Sequence, residues 1–269
     1  MKLAAERWGK PGHPKILLLH GMGGTGALWR PIAADLEDSF DILAPDQRGH
    51  GQSRPCHPDS YSPLDYGQDC VDTLQQTGFH PCVVVGHSMG VRTACALAHL
   101  RPEWVQGLVL IDLGMDGLAG GGLGENLGNF IRVLPQSFSS RDEARAFMNA
   151  HCPDPSIAQY LMAVSRSEPS PSGLQIVFPF DSASLLQTIE AARGVSLKEW
   201  VNQAARAGIR VLALRGARSK VWSAEAFESD KRLFDPALPI QFEEIADAGH
   251  GLPFERRAAF IARLQSFIH

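Results

Sequence analysis

Val83-Val84-Val85-Gly86-His87-Ser88-Met89-Gly90 runs directly into Val91-Arg92-Thr93-Ala94-Cys95-Ala96-Leu97-Ala98. Three consecutive valines suit a strand buried on both faces, and the stretch after Gly90 suits a helix. A serine in a Gly-x-Ser-x-Gly turn between strand and helix is forced into a strained backbone conformation, and the flanking glycines let neighbouring chain come close. Such a turn exposes the Ser88 hydroxyl. The pentapeptide alone is weak in a chain with 26 glycines; its strand before and helix after carry the inference.

Outward from this stretch, short apolar runs recur at Ile16–Leu19, Ile42–Ala44, Leu108–Ile111, Val211–Leu214 and, more weakly, Ile240–Ile245. Trp29, Ile32, Ala33 and Leu36 follow helical spacing, as do Phe254, Ala258, Ile261, Leu264 and Ile268. Alternating strands and helices predict an α/β fold with a mostly parallel sheet covered on both faces. Between Asp112 and Ile209 the alternation stops. That stretch carries helix starts at Ser140-Arg-Asp-Glu143, Asp154-Pro155 and Ser196-Leu-Lys-Glu199, and no convincing strand. The reading is a core of residues 1–112 and 209–269, with a helical cap of residues 113–208 inserted before the penultimate strand. The glycine-rich tract Gly114–Gly124 reads either as a hinge or entrance loop or as a plain surface linker. No internal repeat is visible.

A serine hydroxyl is a poor nucleophile near neutrality, so it requires a general base, and the base requires an acid to hold its tautomer. His250, in Ala248-Gly249-His250-Gly251 after the last strand-like run, is the candidate base. His87 flanks Ser88; its side chain is expected to point away from the hydroxyl, and it is grouped with the pocket residues. A third element, Leu18-Leu19-His20-Gly21-Met22-Gly23-Gly24, supplies backbone N–H groups for a developing oxyanion, with Met22 and Met89 as the pair. Gly21-Met-Gly23-Gly-Thr-Gly26 also fits a dinucleotide fingerprint, with Asp46 at a suitable distance. Its combination with Ser88 and His250 favours the oxyanion loop.

His20-Gly-Met-Gly-Gly24, Asp46-Gln-Arg-Gly-His-Gly-Gln-Ser53, Gly86-His-Ser-Met-Gly90 and Gly249-His250, in this order, resemble cap-bearing α/β-hydrolases of the carboxylesterase and haloperoxidase-like groups. The resemblance spans nearly the whole chain. It implies that Asp46, Arg48 and His50 shape their loop rather than react. It also implies an acid shortly after the penultimate strand, where this chain carries Lys220. An ammonium there opposes the imidazolium that must form. Some members of the family supply the acid from the end of the preceding strand, which makes Asp112 the choice, with Asp116 and Glu225 as substitutes. Asp247 reads as a turn residue.

The formal net charge of −4 supplies no basic stripe for nucleic acid or an anionic membrane. The first residues carry charges where a secretory signal needs an apolar stretch, and no run approaches membrane-spanning length, so a cytoplasmic protein is expected. Five cysteines without a C-x-x-C pair suggest reduced thiols rather than disulfides or zinc. The expected activity is a carboxylesterase acting on a small-molecule ester, with no metal or organic cofactor required. Phe130, Phe147, Leu161, Met162, Phe178, Leu185, Trp222 and His87 are the expected pocket residues. The alternatives are a perhydrolase or haloperoxidase-like enzyme, a lactonase, a C–C hydrolase, or a non-enzymatic small-molecule receptor, to which Lys220 lends weight.

Overall fold

The computed structural model describes residues 1–54, 60–115, 123–171 and 173–269, with backbone alone at 123 and 124. The valine run forms a strand preceded by β1 (Ala5–Trp8), β2 (Lys15–Leu19), α1 (Arg30–Leu36), β3 (Asp41–Pro45) and α2 (Pro63–Thr77). It is itself β4 (Cys82–His87), followed by α3 (Met89–Leu100) and β5 (Val105–Ile111). An inserted segment then supplies α4 (Leu123–Val133), β6 (Ser137–Phe138), α5 (Arg141–His151), α6 (Pro155–Val164), β7 (Arg166–Ser170), β8 (Gly173–Val177), α7 (Ser182–Ala191) and α8 (Lys198–Arg206). The chain returns with β9 (Arg210–Gly216), α9 (Ala224–Arg232), β10 (Ile240–Ile245), α10 (Leu252–Glu255) and α11 (Arg257–Ile268).

The main sheet has seven strands in the order β1-β3-β2-β4-β5-β9-β10. Only β1 runs antiparallel to its neighbour. Strand side chains alternate between faces, so each central strand feeds two cores. Leu17, Leu19, Val84, Leu108 and Leu110 pack beneath α2, α3 and α8, while Ile16, Leu18, Val83, Val85, Val109 and Ile111 pack beneath α1 and α11. Both faces are covered, as parallel sheets require. The strand β10 is only partly buried along its length, which explains its weaker apolar run.

Four expectations need correction. The inserted segment is not wholly helical: β6, β8 and β7 form a small antiparallel sheet in that order. Arg166-Ser-Glu-Pro-Ser170 has no strand composition, and it forms a strand by pairing with β8 at the sheet edge, where proline is tolerated. Helix α8 does not belong to the packing of the insertion, since Leu197, Val201 and Ala204 join the core beneath the main sheet. Ser196 does not form the expected capping box, its hydroxyl accepting only from Lys198 N–H at 3.4 Å; the N-cap position belongs to Leu197, fully buried, its N–H bonded to the Met115 carbonyl at 2.7 Å. The C-terminal stripe is also split between two helices, although Phe254, Ile261, Leu264 and Ile268 all reach the same core. The backbone leaves the helix at Arg256 (φ −126°, ψ 48°), and beyond it Phe260, Ile261, Leu264 and Phe267 face the core while Ala258 is exposed. The caps at Ser140 and Asp154 form as read, with Ser140 accepting from Glu143 N–H and Asp154 from Ser156 and Ile157 N–H.

The insertion has a core of its own, built on Phe130, Phe138, Met148, Ile157, Phe178 and Ile189. It rests on the loops at the C-terminal edge of the main sheet. Gly51 N–H donates to the Pro179 carbonyl at 2.7 Å, and His50 forms a bridge with Phe180. Among the described residues no helix is long and apolar enough to cross a membrane.

Candidate active site

Ser88 sits between β4 and α3 at φ 53° and ψ −119°, a conformation that L-residues reach only under constraint. The constraint comes from close approach on both sides. A Cβ on Gly86 would lie 2.3 Å from the Gly90 carbonyl oxygen, and one on Gly90 would lie 2.4 Å from that of Leu19. Glycine at both positions lets the elbow pack directly on β2.

His250 lies between β10 and α10, and the structure brings it to Ser88. Its Nε2 is 3.0 Å from Ser88 Oγ, and its Nδ1 is 2.8 Å from Asp112 Oδ2. A carboxylate only accepts, so the ring proton is on Nδ1 and Nε2 presents its lone pair to the serine hydroxyl. Asp112 follows β5 with φ 55° and is completely buried. Its carboxylate also accepts from Gly216 N–H at 2.9 Å and from the Ser219 hydroxyl. The end of β9 and the turn after it therefore hold the carboxylate that follows β5. Lys220, in that turn, points to solvent. Glu225 is exposed on the first turn of α9, bonded to Ser223, and Asp116 lies outside the described residues. Asp247 is exposed and pairs with Arg256. Sequence reasoning did not single out Gly216 and Ser219; the signal available was their place after β9, where the acid itself was sought.

The loop after β2 is fixed by buried neutral histidines. Burial lowers His20 to about 4 and His50 to about 3. His20 Nε2 accepts from Gln47 N–H at 3.0 Å, so its Nδ1–H donates to the Gly21 carbonyl at 2.8 Å. His50 Nε2 accepts from Gly23 N–H at 3.0 Å, and the Asp46 carboxylate accepts from Gly26 and Gln52 N–H. Arg48 pairs with buried Asp69. Met89 opens α3, where the first amides have no acceptor within the helix, and Met22 lines the cavity in front of Ser88.

On the side of the main sheet that cavity is lined by Gly21, Met22, His87, Ser88 and His250, and its other walls come from the insertion: Leu127, Ile131, Leu134, Ile157, Tyr160, Leu161, Phe180 and Leu185. His87 does line it. Its Nε2–H donates to the His250 carbonyl at 2.7 Å, its Nδ1 has no partner among the described residues, and burial holds it near 3. Leu161 and Leu185 line the cavity as well, whereas Phe178 belongs to the core of the insertion and the other four expected pocket residues also lie elsewhere. Phe130 is in the core of the insertion, with Phe147 and Met162 packed against it. Trp222 is in the core beneath the sheet, its indole N–H bonded to Asp230 at 2.8 Å. Apolar identity does not say whether a side chain faces a core or a cavity.

A strand-elbow-helix serine, a histidine before the last helices and a glycine loop after β2 are joined on one sheet edge, and residues 14–256 match the α/β hydrolase fold family. The chain belongs to that family. Among α/β-hydrolases with sequence similarity is the 2-(acetamidomethylene)succinate hydrolase of Mesorhizobium japonicum, 31% identical over 236 residues, or 84% of this chain and 78% of that protein. A crystal structure of an E-2-(acetamidomethylene)succinate hydrolase superposes with a TM-score of 0.82 at 26% identity, covering 99% of this chain and 94% of that one. A marine microorganism esterase shares the fold, with a TM-score of 0.80 at 21% identity and 99% of each chain covered. As an α/β-hydrolase, the protein is a hydrolase.

Proposed function

We propose that this hydrolase cleaves carboxylic esters of uncharged acyl groups through an acyl-enzyme on Ser88. Ser88 Oγ attacks the ester carbonyl while His250 Nε2 takes its proton. Asp112 holds the imidazole and stabilises the imidazolium, and the Met22 and Met89 amides receive the oxyanion. His250 returns the proton to the leaving alcohol. Water then attacks the acyl-enzyme with His250 again as base, releasing the acid and restoring Ser88.

The observation that carries this reading is the hydrogen-bonded chain Ser88–His250–Asp112 at 3.0 and 2.8 Å, opening on a cavity. Lys220, exposed in its turn, gives no support to an inert receptor, because a buried carboxylate already faces His250. The cavity selects the acyl group. Among the described residues no Lys, Arg, Asp or Glu lines it, and His87 is held neutral. A carboxylate buried there would find no countercharge. The Mesorhizobium relative is named for a succinate derivative, a dicarboxylate; the apolar lining here favours an uncharged acyl chain instead. A lactone presents the same carbonyl and is the second substrate to offer.

The test is a matched panel: p-nitrophenyl butyrate, its hemisuccinate counterpart, a butyrolactone and 2-(acetamidomethylene)succinate. The reading predicts that kcat/KM for the butyrate exceeds that for the hemisuccinate at least tenfold. Equal or reversed preference overturns the acyl-group assignment. Turnover of the succinate alone replaces ester cleavage with the relative's activity.

A further inference from the structure

We infer that Tyr160 is a positioning residue for the oxyanion site: its hydroxyl holds the Gly21 carbonyl and so fixes the direction in which Met22 N–H points. The inference rests on the acyl-transfer reading above. Tyr160 comes from α6 of the insertion, yet its hydroxyl reaches across to the loop after β2 and donates to Gly21 O at 3.2 Å. The same oxygen accepts from His20 Nδ1–H at 2.8 Å and from Gly24 N–H at 3.0 Å. Three donors on one carbonyl leave it a single orientation.

The Gly21–Met22 peptide is planar and trans, so its C=O and N–H point in opposite directions. Holding the carbonyl on the side of His20, Gly24 and Tyr160 turns Met22 N–H to the other side. The serine is close by: a Cβ on Gly21 would lie 3.2 Å from Ser88 Cβ. Space for the hydroxyl depends on Gly24, where a Cβ would stand 2.1 Å from it. A buried tyrosine hydroxyl needs a partner, and here the partner is the carbonyl behind the oxyanion donor. Because the Tyr160 ring also lines the cavity, one side chain of the insertion both meets the acyl group and sets the donor. His20 and Gly24 remain when the hydroxyl is removed, so the effect is graded rather than all-or-none.

The test is Tyr160→Phe, which keeps the ring and its packing. With p-nitrophenyl butyrate as substrate and active sites counted by fluorophosphonate labelling, kcat should fall about 2- to 10-fold, the range of one neutral hydrogen bond, with KM within twofold of wild type. Butylboronic acid, which forms a tetrahedral adduct on the serine with an oxygen in the oxyanion position, should bind more weakly by the same factor. Unchanged kcat overturns the inference, as does a raised KM at constant kcat, which is the signature of a mere wall residue. If Tyr160→Phe lowers kcat without weakening the boronate, the hydroxyl acts elsewhere and the inference also fails. A wild-type protein that neither turns over the ester nor takes the fluorophosphonate fails earlier, at the acyl-transfer reading itself.

Discussion

At the scale of single residues, the site depends on two short contacts to one imidazole. Ser88→Ala is expected to lower ester turnover by about four to six orders of magnitude, measured against the same protein concentration by steady-state kinetics. Asp112→Asn keeps the shape but lets the side-chain amide favour the wrong imidazole tautomer, a change that costs about 10⁴ in related triads. Ser219→Ala removes one hydrogen bond to Asp112 and should cost only about 2- to 10-fold. If Glu225→Gln were the damaging change and Asp112→Asn harmless, the acid would be misplaced. Ser88 and His250 were legible because a strand before and a helix after frame the serine turn, and because the order of the two along the chain is constrained. Asp112 needed the family resemblance, because an aspartate at a strand end has many structural uses. Phe130, Phe147, Met162, Phe178 and Trp222 were misread for a physical reason: an apolar side chain is chosen for burial, and the sequence does not say against what.

Elements were legible where periodicity met burial. The six apolar runs became the six parallel strands, five of them buried on both faces and β10 only partly buried at the sheet edge. Edge and surface strands carry no such constraint, so β1 with its alternating exposure and β7 with Pro169 left little trace. The break at Arg256 left no trace either, because Phe254 before it and Ile261, Leu264 and Ile268 after it reach the same core. The β4–α3 elbow makes the sharpest prediction at this scale. Gly90→Ala places a methyl group against the backbone oxygen of Leu19, and backbone on both sides has nowhere to move. The variant should lose more than about 2 kcal/mol in urea unfolding. Gly208→Ala, with nothing within 4 Å of the new Cβ and only its φ of +85° to strain it, should cost less. Equal losses would mean that close packing at the elbow is not what requires glycine.

For the whole molecule, one sheet edge gathers residues that are 138 and 162 positions apart in sequence. The fold does this by ending parallel strands side by side, and alternation of strand and helix was enough to foresee it. How the insertion lies over that edge was not foreseeable, because its contacts with Gly21 and Gly51 are made by residues with no periodic signature. The same burial makes stability depend on pH. His20 is held at about 4 and His50 and His87 at about 3, against 6.5 for an exposed histidine. As pH falls below 6.5 the unfolded chain binds protons that the folded protein refuses, so stability is complete above that value and declines toward pH 4. The urea midpoint should drop across this window, and a flat profile would contradict three neutral buried imidazoles. The central claim is that Ser88 is a nucleophile activated by His250. Incubation with a fluorophosphonate followed by peptide mass spectrometry should place a single adduct on Ser88, formed far more slowly in His250→Ala; an unmodified Ser88, or labelling indifferent to His250, would contradict it.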